Sequence, residues 1–392
     1  MNALIDKNTL QYIIDCKGVE LKYIAEKTQV EEPRLSLFTD NDSNILPTIK
    51  QAKKIALCLR VPFAALYMNA KDIPTTALPK VKNLRTLNGA PLEDNSALNL
   101  AMIDLLQERD FLLNVDESIG VNYATFAPKA PNSTDPKIWA TFIRNYFSLK
   151  MEEQYSFKSK RQFFLYLKGK IEQKGVLVNG FRGVPVENTR GFAIYKNKLP
   201  IIGVNDEDRY PAKSFTTIHE VVHLLKHEST ICNDTYNFSP MQGEEVFCNA
   251  VAGELLVPKS ELKCLLKTSM LKTPFTDKDI ESISKLFSVS KEVIIRRLLD
   301  IKVIDKYTYN QFQNQFQREL VEEREHRKLN KAYKFRKNIA RDSFDNTSFY
   351  VSTVLIRGLQ NEVYSKKEVA DHLGIPQNHI ENFYKEALKW SK

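Results

Sequence analysis

No run of about 18 apolar residues occurs in the chain, which excludes a membrane-spanning helix. The first residues, Met1-Asn2-Ala3-Leu4-Ile5-Asp6-Lys7-Asn8, lack the basic-then-apolar order of a secretory leader. Cysteine is scarce: five residues (Cys16, Cys58, Cys232, Cys248, Cys264), odd in number, scattered and never spaced as CxxC. They read as reduced thiols rather than a disulfide framework, and predict a cytoplasmic protein. Long blocks of one charge are missing too, although 27% of residues are charged, so acidic or basic low-complexity tracts are excluded. The formal charge of +9 permits an acidic or nucleic-acid partner without requiring one. What is present is 392 residues at 43% apolar content, enough for two or three globular cores.

Histidine is also rare, six in all, yet His219, His223 and His227 fall within nine residues. They belong to the stretch His219-Glu220-Val221-Val222-His223, an HExxH pattern. On a helix, residues four apart point the same way, so two imidazoles can grip one Zn²⁺. The adjacent Glu220 can then take a proton from water at the metal, the machinery of a zinc peptidase. Phe215, Ile218, Val221, Val222, Leu224 and Leu225 make the rest of the segment apolar, which predicts a core helix. Two imidazoles and a carboxylate on such a helix are costly unless something satisfies them.

A third ligand is required. The spacing HExxHxxGxxH would need Gly at 226 and His at 229; Lys226 and Ser229 exclude it. The other common solution takes a Glu from a following helix. Glu245 lies 22 residues after His223, on a predicted helix that stops at Pro258. Asn249 follows one turn later on the same face, placed to hold a ligand imidazole. Glu245 is the assigned ligand, with Glu244 next in order and Glu254 after it.

Around this stretch the chain reads as α+β and mostly helical. Residues 1–70 form a predicted helical bundle, with helices around Leu21 to Lys27, Arg34 to Leu37 and Ile49 to Leu59, and 71–95 form a Pro-rich linker. Residues 96–305 are the predicted catalytic domain, with a core at 170–300. Within it, about three short strands (176–178, 191–195, 201–204) pack as a small sheet against the HExxH helix, and Ser290 caps a later helix. Residues 306–392 are a helical C-terminal module, in which His372 and His379 read as surface residues. Eight Lys/Arg against three acids in 321–341 read as a solvated helix face, with an acidic partner or nucleic acid as the alternative.

Taken together these segments resemble the ImmA/IrrE family of metallo-endopeptidases. The resemblance rests on an ordered set over about 130 residues: Gly175-Val176-Leu177-Val178, Arg190-Gly191-Phe192-Ala193, Pro200 to Asn205, Phe215 to His223, Asn249 to Pro258, and Val289-Ser290 to Arg297-Leu298. It implies a zincin-like domain whose His219, His223 and Glu245 bind zinc and whose Glu220 is the catalytic base. His227 matches a frequent family histidine, expected near the ligands or the cleft, and Arg297 an Arg-Leu pair. Val222 and Ser214 depart from the family pattern, where Gly and a basic residue are usual.

Family members cleave helix-turn-helix repressors, which makes such a repressor, encoded nearby, the expected partner. Residues 1–70 resemble an Xre-like helix-turn-helix domain, which raises DNA binding and transcription regulation. Nine Lys/Arg against eight Asp/Glu there is a poor phosphate-binding footprint, so a protein-contact role is favoured over DNA. For the oxyanion, Tyr210, His227 and Arg297 are candidates, and a peptide is expected along the edge strand of the sheet. The rival reading is a DNA-binding regulator or toxin-antitoxin component whose metal site is structural or inactive.

Overall fold

The computed structural model describes residues 1–73, 76, 78–83, 86–87, 90–91, 95–115, 119, 121–232, 243–268, 274–329 and 338–390. Four short helices, α1 (Lys7–Lys17), α2 (Leu21–Thr28), α3 (Glu32–Thr39) and α4 (Ile49–Cys58), make the N-terminal bundle around Ile13, Ile24, Phe38 and Ile55. Local chemistry sets their ends. Thr48 and Gln51 form a reciprocal capping box at the start of α4. Lys7 donates to the carbonyls of Leu37, Asp40 and Ser43, at and just past the C-terminal end of α3.

The following segment carries β1 (Lys82–Asn83) and a ribbon of β2 (Thr86–Leu87) with β3 (Ala90–Pro91). Helices α5 (Ser96–Leu113), α6 (Pro136–Tyr146), α7 (Met151–Ser156) and α8 (Lys160–Glu172) lead to strands β4 (Leu177–Phe181), β5 (Gly191–Ile194) and β6 (Ile201–Asn205). Then come α9 (Tyr210–Leu225), β7 (Thr230–Cys232), α10 (Gly243–Leu256), α11 (Lys259–Thr268), α12 (Asp277–Leu286), α13 (Lys291–Asp300) and α14 (Lys306–Leu329). The Ser290 side chain caps α13 by accepting from the Val293 amide, as its sequence position predicted. Four further helices close the described chain: Ile339–Asn346, Phe349–Gln360, Lys366–Leu373 and Ile380–Leu388. Part of the basic 321–341 stretch, residues 330–337, lies outside the described residues. None of the described helices is long and apolar enough to cross a membrane.

The sheet has five strands rather than the three read from sequence, in the order β1-β7-β5-β6-β4. The central strands were visible because they are buried on both faces and rich in branched residues. The two missed strands hold two and three residues, too short for a periodic signal, and only their partners make them strands. Strand alternation splits the sheet between two cores. Val178, Ala193, Ile202 and Val204 face the core of α9 and α10, while Leu177, Phe192, Ile194 and Ile201 face α5 and the last helices. Residues such as Phe344, Val351, Val369 and Phe383 thus share a core with the sheet.

Candidate metal centre

Pro211 opens α9, where its missing amide costs nothing, and every residue from Lys213 to Leu225 is buried. The helix lies against α8, α10, β5 and β6, and its His219, Glu220 and His223 are buried among them. It stops at Lys226, and His227 follows in the left-handed region at φ 58°. Helix α10 brings the second half of the site. Its last carbonyls are taken by side chains: Arg144 donates to Leu255 at 3.0 Å, Gln154 to Leu256 at 2.9 Å, and Arg297 to Val257 just beyond at 2.9 Å. That anchorage fixes the helix whose first turn carries Glu245.

Four side chains converge: His219, His223, Glu245 and Cys232, none more than 3% exposed, with one ligand atom from each inside a 4.8 Å sphere of mutual distances. The two imidazole Nε2 atoms are 3.2 Å apart. Each stands 3.2 Å from a different oxygen of Glu245. Cys232 Sγ lies 3.8 Å from His223 Nε2 and 3.9 Å from Glu245 Oε1. The outward nitrogens have their own partners: His219 Nδ1 meets Asn249 Oδ1 at 2.9 Å, and His223 Nδ1 meets Glu228 Oε2 at 3.3 Å. With Nδ1–H donating outward, both Nε2 lone pairs are turned to the common centre.

This donor set fits a zinc ion. Tetrahedral bonds of about 2.05 Å to nitrogen and 2.3 Å to sulfur put donor atoms about 3.4 to 3.6 Å apart, close to the separations found. The electrostatics agree. Burial opposes charge on the imidazoles, but Cys232 and Glu245 outweigh it and hold His219 and His223 well above their ordinary range. Burial likewise pushes Glu245 up, and the two imidazoles outweigh it, holding the carboxyl low. The cluster is thus balanced by positive charge, which protons on the imidazoles or a metal cation can supply.

Glu220 is fully buried beside the cluster. One of its oxygens accepts from Thr230 Oγ1 at 3.4 Å, while Oε1 meets no hydrogen-bond donor among the described residues. Burial raises its pKa above the ordinary carboxylate value, with the imidazoles pulling the other way. Gly191 makes room for it: a Cβ there would sit 2.3 Å from Thr216 Cγ2 and 3.2 Å from Glu220 Oε1. Arg190, Phe215, Thr216, His219, Glu220 and Cys232 line a small cleft.

The other sequence candidates go elsewhere. Glu244 pairs with Lys82 and Lys226, which overcome its partial burial and pull it down to about 2. Glu254 pairs with Arg297. Arg297, matched to the family pattern without a role, serves as an anchor for the end of α10, held also by Asp300. Tyr210 donates to Asp345 at 2.5 Å, nine residues or about 13 Å along the helix axis from His219. His227 stacks on Tyr195, with ring centroids 4.5 Å apart. Tyr210, His227 and Arg297 are thus not brought to the cluster. His372 contacts Glu108 at 2.9 Å, away from any metal-binding group. Cys232, read from sequence as an ordinary thiol, is the residue that reading missed. The available signal was its place nine residues after His223, at the end of the apolar run Thr230-Ile231-Cys232.

A possible metal-binding pair on a core helix, a carboxylate from the next helix and a small sheet alongside suggest a domain with a metallopeptidase-type fold. Residues 171–299 match the family model of peptidase family M78, described as the IrrE N-terminal-like domain. The matched segment contains His219, Glu220, His223 and Glu245. No curated protein and no solved structure matches the chain.

Proposed function

We propose that the chain is a zinc-dependent endopeptidase that cleaves a protein partner of the helix-turn-helix repressor or antitoxin type. The observation that carries this reading is the buried convergence of His219, His223 and Glu245 beside a Glu220 oxygen that has no hydrogen-bond partner among the described residues, inside a segment that matches a peptidase family. His219, His223 and Glu245 would hold the zinc, which when bound polarises a carbonyl and makes water acidic near neutral pH. Glu220 accepts the proton of the attacking water through Oε1 and returns it to the departing amine. Asn249 and Glu228 orient the imidazoles. Arg190, which lines the cleft with Glu220, takes the oxyanion role that the sequence had left among Tyr210, His227 and Arg297.

The choice of partner rests on the family match and on the N-terminal bundle. The exposed side of α3 carries Glu31, Glu32 and Arg34, which supports contact with protein rather than with phosphate. The edge strands of the sheet are β1 and β4, whereas β7, the strand at the cluster, lies between β1 and β5.

The test is co-expression with a neighbouring short helix-turn-helix protein. A fragment should form with the wild-type chain, and Glu220→Gln should cut cleavage about 10²- to 10⁴-fold while keeping about one zinc per chain. Undiminished cleavage by that variant would sink the mechanism. A second reading is favoured by Cys232 alone: four protein donors around one ion are the pattern of a structural site. On that reading the protein is a DNA-binding regulator, recognised by salt-sensitive promoter binding without cleavage.

A further inference from the structure

We propose that Cys232 is a fourth protein donor that closes the metal position, so that the peptidase rests in a latent form until the thiol withdraws. This rests on the zinc peptidase reading above and adds a regulatory device to it. The position of Cys232 is set by strand register rather than by a loop. β7 pairs antiparallel with β5, Cys232 opposite Gly191, and the Arg190 amide donates to the Cys232 carbonyl at 3.1 Å. Strand alternation then puts Thr230 and Cys232 on the face toward α9, and Ile231 in the opposite core. Thr230 reaches Glu220, and Cys232 reaches His223 and Glu245. One strand therefore touches both the base and the ligands.

The distances give Cys232 a specific place in the donor set. Its sulfur stands 3.8 Å from His223 Nε2 and 3.9 Å from Glu245 Oε1, near the edge lengths of a tetrahedron that the other three donors already outline. A thiol beside a divalent cation binds as thiolate. Three protein donors leave a position for water and substrate; four do not. The strand is also covered on its outer side, where Lys82 pairs with Thr230 and Asn83 with Ile231. Lys82 is latched there by its ion pair with Glu244, in the first turn of the helix that carries Glu245. Both the metal position and the strand beside it are thus occupied by the chain itself.

The experiment reconstitutes the full chain with Co²⁺ and compares it with Cys232→Ser and Cys232→Ala. Wild type should bind about one cobalt per chain and show a thiolate-to-cobalt charge-transfer band in the near ultraviolet. Both variants should keep the cobalt and lose the band. Acetohydroxamate should change the visible spectrum of the variants and leave wild type unaltered. Cobalt bound by wild type without the band overturns this proposal and leaves the peptidase reading standing. A band together with an equal hydroxamate response in wild type makes Cys232 a ligand but overturns latency. Failure of all three proteins to bind cobalt removes the metal site itself, and this proposal with it.

Discussion

At the N-terminal end of α9 the Tyr210 hydroxyl donates to Asp345, and the Lys213 ammonium donates to Asn346 at 2.7 Å. Arg161 grips the same Asp345 with two nitrogens, at 2.7 and 2.5 Å, and Lys168 donates to the Asp345 carbonyl at 3.0 Å. Seven residues or so further along the helix, two imidazole Nε2 atoms face each other across 3.2 Å and one Glu220 oxygen has no donor among the described residues. Both assemblies are buried and polar. In the first, each of these charged groups meets an opposite charge, a backbone carbonyl or the Asn346 side-chain amide supplied by the C-terminal helices. In the second, two imidazoles, a carboxylate and a thiol crowd one point, and only positive charge placed among them, as protons or a metal cation, balances the set. The same helix thus carries a structural network at one end and a binding site at the other. What separates them is whether the donors and acceptors balance within the chain.

The comparison can be broken from either side. The largest effect is expected from Asp345→Ala, which takes the carboxylate away from Arg161 and the acceptor from the Tyr210 hydroxyl, and should cost about 3–5 kcal/mol in urea unfolding. Metal stoichiometry per folded chain should not change; a lost metal with unaltered stability would join the two assemblies that are separated here. Next is the metal itself. At a free zinc concentration a hundredfold above Kd, unfolding should become harder by about 2.7 kcal/mol, and a chelator should reverse the gain. His223→Ala should show no zinc-dependent shift in Tm at all. The smallest effect is expected at Asn249. Asn249→Ala leaves the ligands in place but frees the His219 ring, and should weaken zinc 10- to 100-fold in competition with a chromogenic chelator. An Asn249→Ala variant that binds zinc as tightly as wild type would remove Asn249 from the site.

Much of the scaffold could be read without coordinates, because local signals carried it. The helical bundle, the apolar period of α9, the branched central strands and the Ser290 cap all depend on residues close in sequence. Strands β1 and β7 could not, since two or three residues carry no period and become strands only through pairing with distant segments. The same reason hid Cys232, a lone thiol whose importance lies in standing opposite Gly191. Nearness in sequence also misled. His227 is four residues from His223, yet the helix ends between them and the ring turns to Tyr195. Arg297, marked by pattern, acts on the end of α10 rather than on the reacting groups.

On a helix, His219 and His223 share a face and Glu220 lies to one side of it, a relation that 3.6 residues per turn carries in the order of the residues alone. The tertiary structure decided what meets that face. It set Glu245 against both imidazoles by anchoring the far end of α10, and it set Cys232 there by the register of β7 on β5. Helical spacing is a property of neighbouring residues. The fourth corner of the site depends on which distant segments pack together, and only the folded chain fixes that.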